Sequence, residues 1–255
     1  MLGPDILLSH GNGTTPSQAT LLRDSGVYIA TTPDAELFMA SGSEPVAFRN
    51  DLSLTCLGAD CHSCGPSSMI HQMQMALSSD RALQTSNAFR DNRYPEKFRA
   101  TVQEAFNLAT IRAARAVRME HEIGSIAVGK LADLIIFDAT TPSMACAAED
   151  DPLTAIVRHA SVRDIDTVII GGRIRKQGGQ MQDIAIPIDA NEAGYLDVLK
   201  MTTNSRQISW KEMVKKLSTS RQEIQTRINL VNKDLARSTL GRLIPGLEDI
   251  LTLNM

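Results

Sequence analysis

Short β-forming runs, each followed by a helix-start signal, constrain this chain more than any other feature. Ile6-Leu-Leu-Ser9 precedes Thr14-Thr-Pro-Ser17, in which Ser17 is the expected N-cap of a helix over residues 18–24 closed by Gly26 as its C′ residue. Val27-Tyr-Ile-Ala-Thr-Thr32 is β-branched and aromatic and reads as a second strand, and residues 54–57 supply a third. Met69, Ile70, Met73, Met75, Ala76 and Leu77 then recur at helical spacing, and Thr101-Val-Gln-Glu104 is a capping box opening one helix over residues 104–117. Strands alternating with helices imply parallel strands joined by crossovers. In such folds, reactive side chains project from the C-terminal ends of the strands. His10 and Asp60 end the first and third runs, so both are expected on neighbouring buried strands, facing one shared pocket.

The pattern changes at Ile123. Ile126, Val128, residues 134–137 and residues 166–170 are short β runs punctuated by Gly124, Gly129 and Gly171-Gly172, which predicts a small β-module, with Asp133 to Phe137 forming a buried strand. From Asp189 the chain becomes charged and helical. There Trp210, Met213, Val214, Leu217, Ile224, Ile228, Val231 and Leu235 trace one apolar stripe, expected to pack on its own protein.

Composition excludes several classes of function. With 43% hydrophobic and 22% charged residues among 255, the chain is globular rather than disordered. A net charge of −3 and a pI near 6.0 give no basic field for nucleic acid. No apolar run reaches the roughly 20 residues of a membrane helix, and Met1-Leu-Gly-Pro-Asp lacks the features of a signal peptide, so neither nucleic acid nor membrane is an expected partner and a cytoplasmic location is expected. Cys56, Cys61, Cys64 and Cys146 are too few for a disulfide scaffold, and reduced thiols are expected. Cys61-His-Ser-Cys64 has the spacing of half a zinc site without a second pair; the simpler expectation is a loop whose cysteines pack beneath the strand end.

Glu122-Ile-Gly-Ser-Ile-Ala-Val-Gly-Lys-Leu-Ala-Asp-Leu-Ile-Ile-Phe-Asp138 closely resembles the C-terminal signature of the amidohydrolase superfamily of metal-dependent hydrolases and deaminases. Ser9-His10, the 25–33 segment and Leu57-Gly-Ala-Asp60 resemble the ends of barrel strands six, seven and eight in its cytosine-deaminase and chlorohydrolase-like branch. The resemblance spans roughly residues 5–180. It implies an α/β chain made of part of a (β/α)8 TIM-like barrel over residues 1–122, a small β-sandwich segment over 123–185 and a helical C-terminal extension over 186–255.

For the site, the resemblance implies Asp60 as metal ligand or general base and His10 as acid/base or electrophilic partner. Thr32, standing where the branch often has His, and His62 at the pocket mouth are the implied substrate contacts. The implied cofactor is a divalent metal, zinc foremost, at a site left incomplete. The implied reaction is hydrolysis of a non-peptide C–N bond, by deamination or amide hydrolysis, in a small polar or heterocyclic molecule. The family's strand-one His-x-His pair and strand-five His have no counterpart here, so this chain alone is expected to be inactive, as a truncation or a partial gene product. The alternative is a binding or regulatory remnant acting through an open sheet edge, with a homo-oligomer as one outcome. His71, His121 and His159 have no partners at ligand spacing and are expected to be structural or surface residues.

Overall fold

A computed structural model describes residues 2–39, 46–187 and 205–243. The chain forms two compact units, Met1–Met181 and Gln182–Met255. In the first, β1 (Leu7–Ser9), β2 (Tyr28–Thr31) and β3 (Thr55–Leu57) form a parallel sheet in the order β1-β2-β3. Leu8 pairs with Ile29, and Ile29 with Thr55. The crossovers are α1 (Pro16–Asp24) after β1 and α2 (Pro33–Phe38) with a 3-10 turn (Val46–Phe48) after β2. This is the mixed α/β alternation that the sequence predicted.

Helix α1 starts earlier than its Ser17 cap implied. Thr15 is the N-cap, its hydroxyl accepting the Gln18 N–H while the Gln18 side chain accepts the Thr15 N–H at 2.9 Å. Pro16 explains the shift, because its fixed φ suits the first helical position and needs no donor there. Gly26 follows with φ +71°, as its C′ role requires.

The sheet is unevenly covered. All three residues of β3 are buried, β2 alternates between buried and half-buried, and all three of β1 are exposed, which corrects the expectation that His10 ends a buried strand. Ile29 packs with Ala19, Leu22, Val27, Val46 and Leu52 on one side. Leu57 belongs to a larger cluster with Ile70, Met73, Leu77, Leu108, Met144 and Val157.

That cluster is built on α3 (Met69–Arg90), capped by Ser68. Asp80 on α3 is fully buried and is held by Arg99 (Nε to Oδ1, 2.7 Å) and Gln84 (Nε2 to Oδ2, 2.5 Å). The single helix expected over 104–117 is two, α4 (Val102–Ala109) and α5 (Ile111–Ala116). Thr110 breaks it at φ −125°, ψ −100°, and its hydroxyl donates to the Phe106 carbonyl at 2.8 Å. Such back-bonding offers the backbone an alternative to the helical ladder.

Beyond α5, Ile126 and Val128 lie outside any strand, almost fully exposed. Residues β4 (Leu134–Phe137), β5 (Ile165–Ile170), β6 (Arg173–Gln177) and β7 (Gln180–Met181) form one antiparallel sheet in sequence order. Strand β4 is not buried as expected, since Ile135 and Ile136 are half exposed and Phe137 is the residue that reaches the core. Helices α6 (Ala145–Asp150) and α7 (Pro152–Thr154), running into a π turn (Ala155–His159), contribute Ala155, Val157 and Ala160 to the same core.

The signature segment is a fastened turn. Lys130 Nζ donates to the Glu120 carbonyl, to Ser125 Oγ at 2.7 Å and to Ile123 O at 3.3 Å, while Asp133 accepts the Gly171 N–H at 2.7 Å. Gly124, at φ +83°, lies 3.2 Å from Ile111 Cα measured from where a Cβ would stand, and that Cβ would collide with Ala114. Only glycine fits there.

In the second unit, β8 (Ile184–Pro187) and β9 (Ser205–Ile208) form an antiparallel pair. Helices α8 (Trp210–Asn229) and α9 (Lys233–Leu243) follow. Along the apolar stripe, Val214, Leu217, Ile224, Ile228 and Leu235 stand 42–61% open.

Candidate active site

The ends of β1 and β3 share an unusual backbone feature. His10, directly after β1, has φ +69°, and Asp60, three residues after β3, has φ +58°. Non-glycine residues in the left-handed region cost about 1–3 kcal/mol each and persist where the surroundings over-determine them. Here both ends are tied to the middle strand: His10 N–H donates to Ala30 O and Gly58 N–H to Thr31 O, each at 2.8 Å. Strand β2 lies between β1 and β3, so the two residues do not come from adjacent strands as expected. Their side chains nevertheless reach across its end, with His10 Nε2 4.0 Å from Asp60 Oδ2.

Glu36, which sequence reasoning missed, organises the other side of His10. It sits on α2, only 2% exposed. Its Oε1 accepts the Thr32 N–H at 2.7 Å and lies 3.3 Å from His10 Nδ1; its Oε2 accepts the Thr31 hydroxyl at 2.8 Å and Asn12 Nδ2 at 3.3 Å. Thr32 Oγ1 also lies 3.1 Å from His10 Nδ1. A carboxylate at Nδ1 favours the proton there and leaves Nε2, the nitrogen facing Asp60, as the acceptor in the neutral ring. The available signal was Thr32-Pro33-Asp-Ala-Glu36: Pro33 at the first helical position starts a helix at the strand end, and one turn later Glu36 faces back toward it.

Asp60 leads into an exposed turn. Its Oδ1 accepts the Cys61 N–H at 2.7 Å, and Cys64 N–H closes on Cys61 O at 3.1 Å. Cys61 Sγ lies 3.1 Å from Ser63 Oγ and 3.3 Å from Cys64 Sγ. These hydrogen bonds, Ser63 first and then Cys64, hold the Cys61 thiol below the ordinary thiol range, and the shared bond raises Cys64. Cys61 is exposed and Cys64 half-buried, so neither lies packed beneath the strand end as expected.

Of the four residues singled out by sequence, His10, Thr32 and Asp60 converge. His62 turns to Ser67 on the exposed loop, Nδ1 to Oγ 3.1 Å. His71, expected to be structural, pairs through Nε2 with Asp34 Oδ2 at 3.1 Å. Gly65 passes so close to Asp34 that a Cβ there would strike the carboxylate. An open concavity of about 610 Å³ is lined by Leu8, His10, Asn12, Thr14, Gln18 and Leu22 among others; it contains His10 but not Asp60.

A catalytic zinc takes three protein ligands and a water, with donor bonds of about 2.0–2.3 Å. His10 and Asp60 supply two donors, one short of that set, and stand 4.0 Å apart. Among the described residues the three-donor group is a different one, Asp60, Cys61 and Cys64, with ligand atoms within 4.8 Å of one another. The His10–Asp60 pair therefore does not by itself fit a catalytic metal, and no chemical step is drawn through one.

Parallel strands whose ends gather an imidazole between two carboxylates define an α/β protein with its polar groups at the carboxyl ends of the strands, where such folds place their sites. The Amidohydrolase family model matches residues 1–175, and the chain belongs to that family. It is 30% identical over 177 residues to a 5'-deoxyadenosine deaminase of Methanosphaera stadtmanae, covering 68% of this chain and 38% of that protein. It is 29% identical over 201 residues to a 5-methylthioadenosine/S-adenosylhomocysteine deaminase of Moorella thermoacetica, covering 78% of this chain and 43% of the relative. Among solved structures, an adenosine deaminase from Xanthomonas campestris, solved with bound zinc, superposes with a TM-score of 0.60 at 19% identity, over 78% of this chain and 41% of that one. The chain spans about two fifths of the length of the curated relatives it matches.

Proposed function

We propose that this chain carries the strand six-to-eight part of a hydrolytic deaminase acting on a heterocyclic amine of the aminopurine class, with β1, β2 and β3 as those barrel strands. One observation carries the reading: an imidazole at a strand end, flanked by buried Glu36 at Nδ1 and by Asp60 facing Nε2. The substrate class follows the deaminases to which the chain is similar.

In deamination, water adds to the amine-bearing ring carbon and ammonia departs. Asp60 takes the proton of the attacking water, and its half-open position leaves it within reach of solvent. His10, oriented by Glu36 and Thr32, moves a proton at Nε2 to or from the substrate ring. A divalent metal of the family's kind, zinc foremost, would supply a water acidified toward neutrality, held by donors beyond the His10–Asp60 pair. Of its ligands, Asp60 is the one we assign to this chain; the location is the cytoplasm.

The test measures ammonia release from adenosine, 5'-deoxyadenosine and guanine by the purified protein. Turnover that falls about 10²-fold or more in Asp60→Asn supports the assignment. Turnover indifferent to that substitution overturns it. A second reading, a binding remnant acting through its sheet edge, is favoured by the exposure of Leu7 and Leu8 on β1; release from none of the three substrates, with a second chain captured, would select it.

A further inference from the structure

We propose that Cys61 and Cys64 form a reversible thiol–disulfide site on the rim beside Asp60, oxidised by small-molecule disulfides. The backbone sets the geometry. Cys64 N–H donates to Cys61 O at 3.1 Å, so the cysteines are the first and fourth residues of a β-turn. That places their Cα atoms within about 7 Å. Disulfides span about 4.4–6.8 Å between Cα atoms, so the turn needs little movement to close one. The sulfurs already lie 3.3 Å apart, with Ser63 Oγ against Cys61 Sγ.

Access separates this pair from the other two cysteines. Cys61 is exposed and Cys64 half-buried, so a small disulfide can reach Cys61 and Cys64 can complete the exchange. Cys56 is buried in β3, where burial pushes its thiol up to about 11 and removes it from the chemistry. Cys146 is exposed, and among the described residues the sulfur–sulfur contact is that of Cys61 with Cys64.

The step balances as thiol–disulfide exchange. Cys61 sulfur, giving up its proton, attacks one sulfur of R–S–S–R; the S–S bond breaks and the first RSH leaves with that proton. Cys64 sulfur then attacks Cys61 Sγ in the mixed disulfide, its proton leaving with the second RSH. Two cysteine thiols are oxidised and one small disulfide is reduced. The consequence falls on Asp60, since Cys61 supplies the N–H bound to its Oδ1 and both sulfurs belong to the three-donor group around it.

The experiment treats the full chain with oxidised glutathione, blocks residual thiols with a maleimide and maps the peptides by mass. The expected result is joint loss of both alkylation sites in the peptide holding residues 61–64, with two hydrogens lost, reversed by dithiothreitol. Cys146, alone, should finish as a glutathione mixed disulfide in the same sample. In Cys64→Ser, Cys61 should stall as a mixed disulfide. Separate glutathione adducts on Cys61 and Cys64 in the unmodified chain, or alkylation of both unaffected by the oxidant, would overturn the proposal. Because thiols are the readout, failure here is distinguishable from failure of the deaminase reading.

Discussion

Strands β1 and β3 have similar lengths and flank the same neighbour, yet β1 is exposed throughout while β3 is buried throughout. The difference lies in what covers them. Strand β3 is met by α3, α4 and α5, whereas β1 carries Leu7 and Leu8 at 41% and 36% exposure and pairs with β2 alone among the described residues. The lesson concerns how a site is held: Asp60 leaves a strand fixed by a packed core, and His10 leaves one fixed mainly by hydrogen bonds to β2 and Glu36.

The contrast can be tested by substitution. Arg99→Ala strips the buried Asp80 beneath the β3 side of a partner and should cost about 3–5 kcal/mol, read from the urea midpoint. A loss under 1 kcal/mol, about the size of an exposed pair, would show that this side is less closed than its burial implies. Next comes the direct comparison: Leu57→Ala should lose about 2–5 kcal/mol. Leu8→Ala should change stability by no more than about 0.5 kcal/mol. Equal losses for the two leucines would erase the distinction.

Glu36→Ala leaves the buried Thr31 hydroxyl and Thr32 N–H without their acceptor, at a cost of about 1–3 kcal/mol. It should also free His10, seen as a changed tautomer balance in the imidazole nitrogen chemical shifts; unaltered shifts would detach Glu36 from the site. The smallest effect is expected from pH. Burial opposes ionisation of Asp164, but hydrogen bonds from Ser143, Thr141 and the Ser161 N–H and hydroxyl outweigh it and hold the carboxyl far below the usual range. Its stabilisation is therefore complete above the unfolded value near 4 and fades as pH falls below it. Thermal melts from pH 6 to pH 3 should show a fall that Asp164→Asn makes shallower.

The alternation of strands and helices, the capping box at Thr101 and the family signature could all be read directly, because each is set by neighbours in sequence. The signature nevertheless misleads about packing: Ile126, Val128, Ile135 and Ile136 look like core residues in a row of letters but face outward, and Lys130 and Asp133 serve to fasten turns. For the site, His10, Thr32 and Asp60 could be named from strand ends. Glu36 is signalled only as a residue one turn into a helix that Pro33 starts at the strand end; that its carboxylate meets an imidazole 26 residues away depends on β1 pairing beside β2.

The sequence by itself determined the alternation of strands with helices, the capping box at Thr101 and which family the chain joins, since those depend on residue type and short spacing. Tertiary structure alone decided which strand is covered, that β2 lies between the two reactive ends, and that His10 is held between Glu36 and Asp60. Burial and side-chain convergence arise from contacts between distant segments, and no local pattern encodes them.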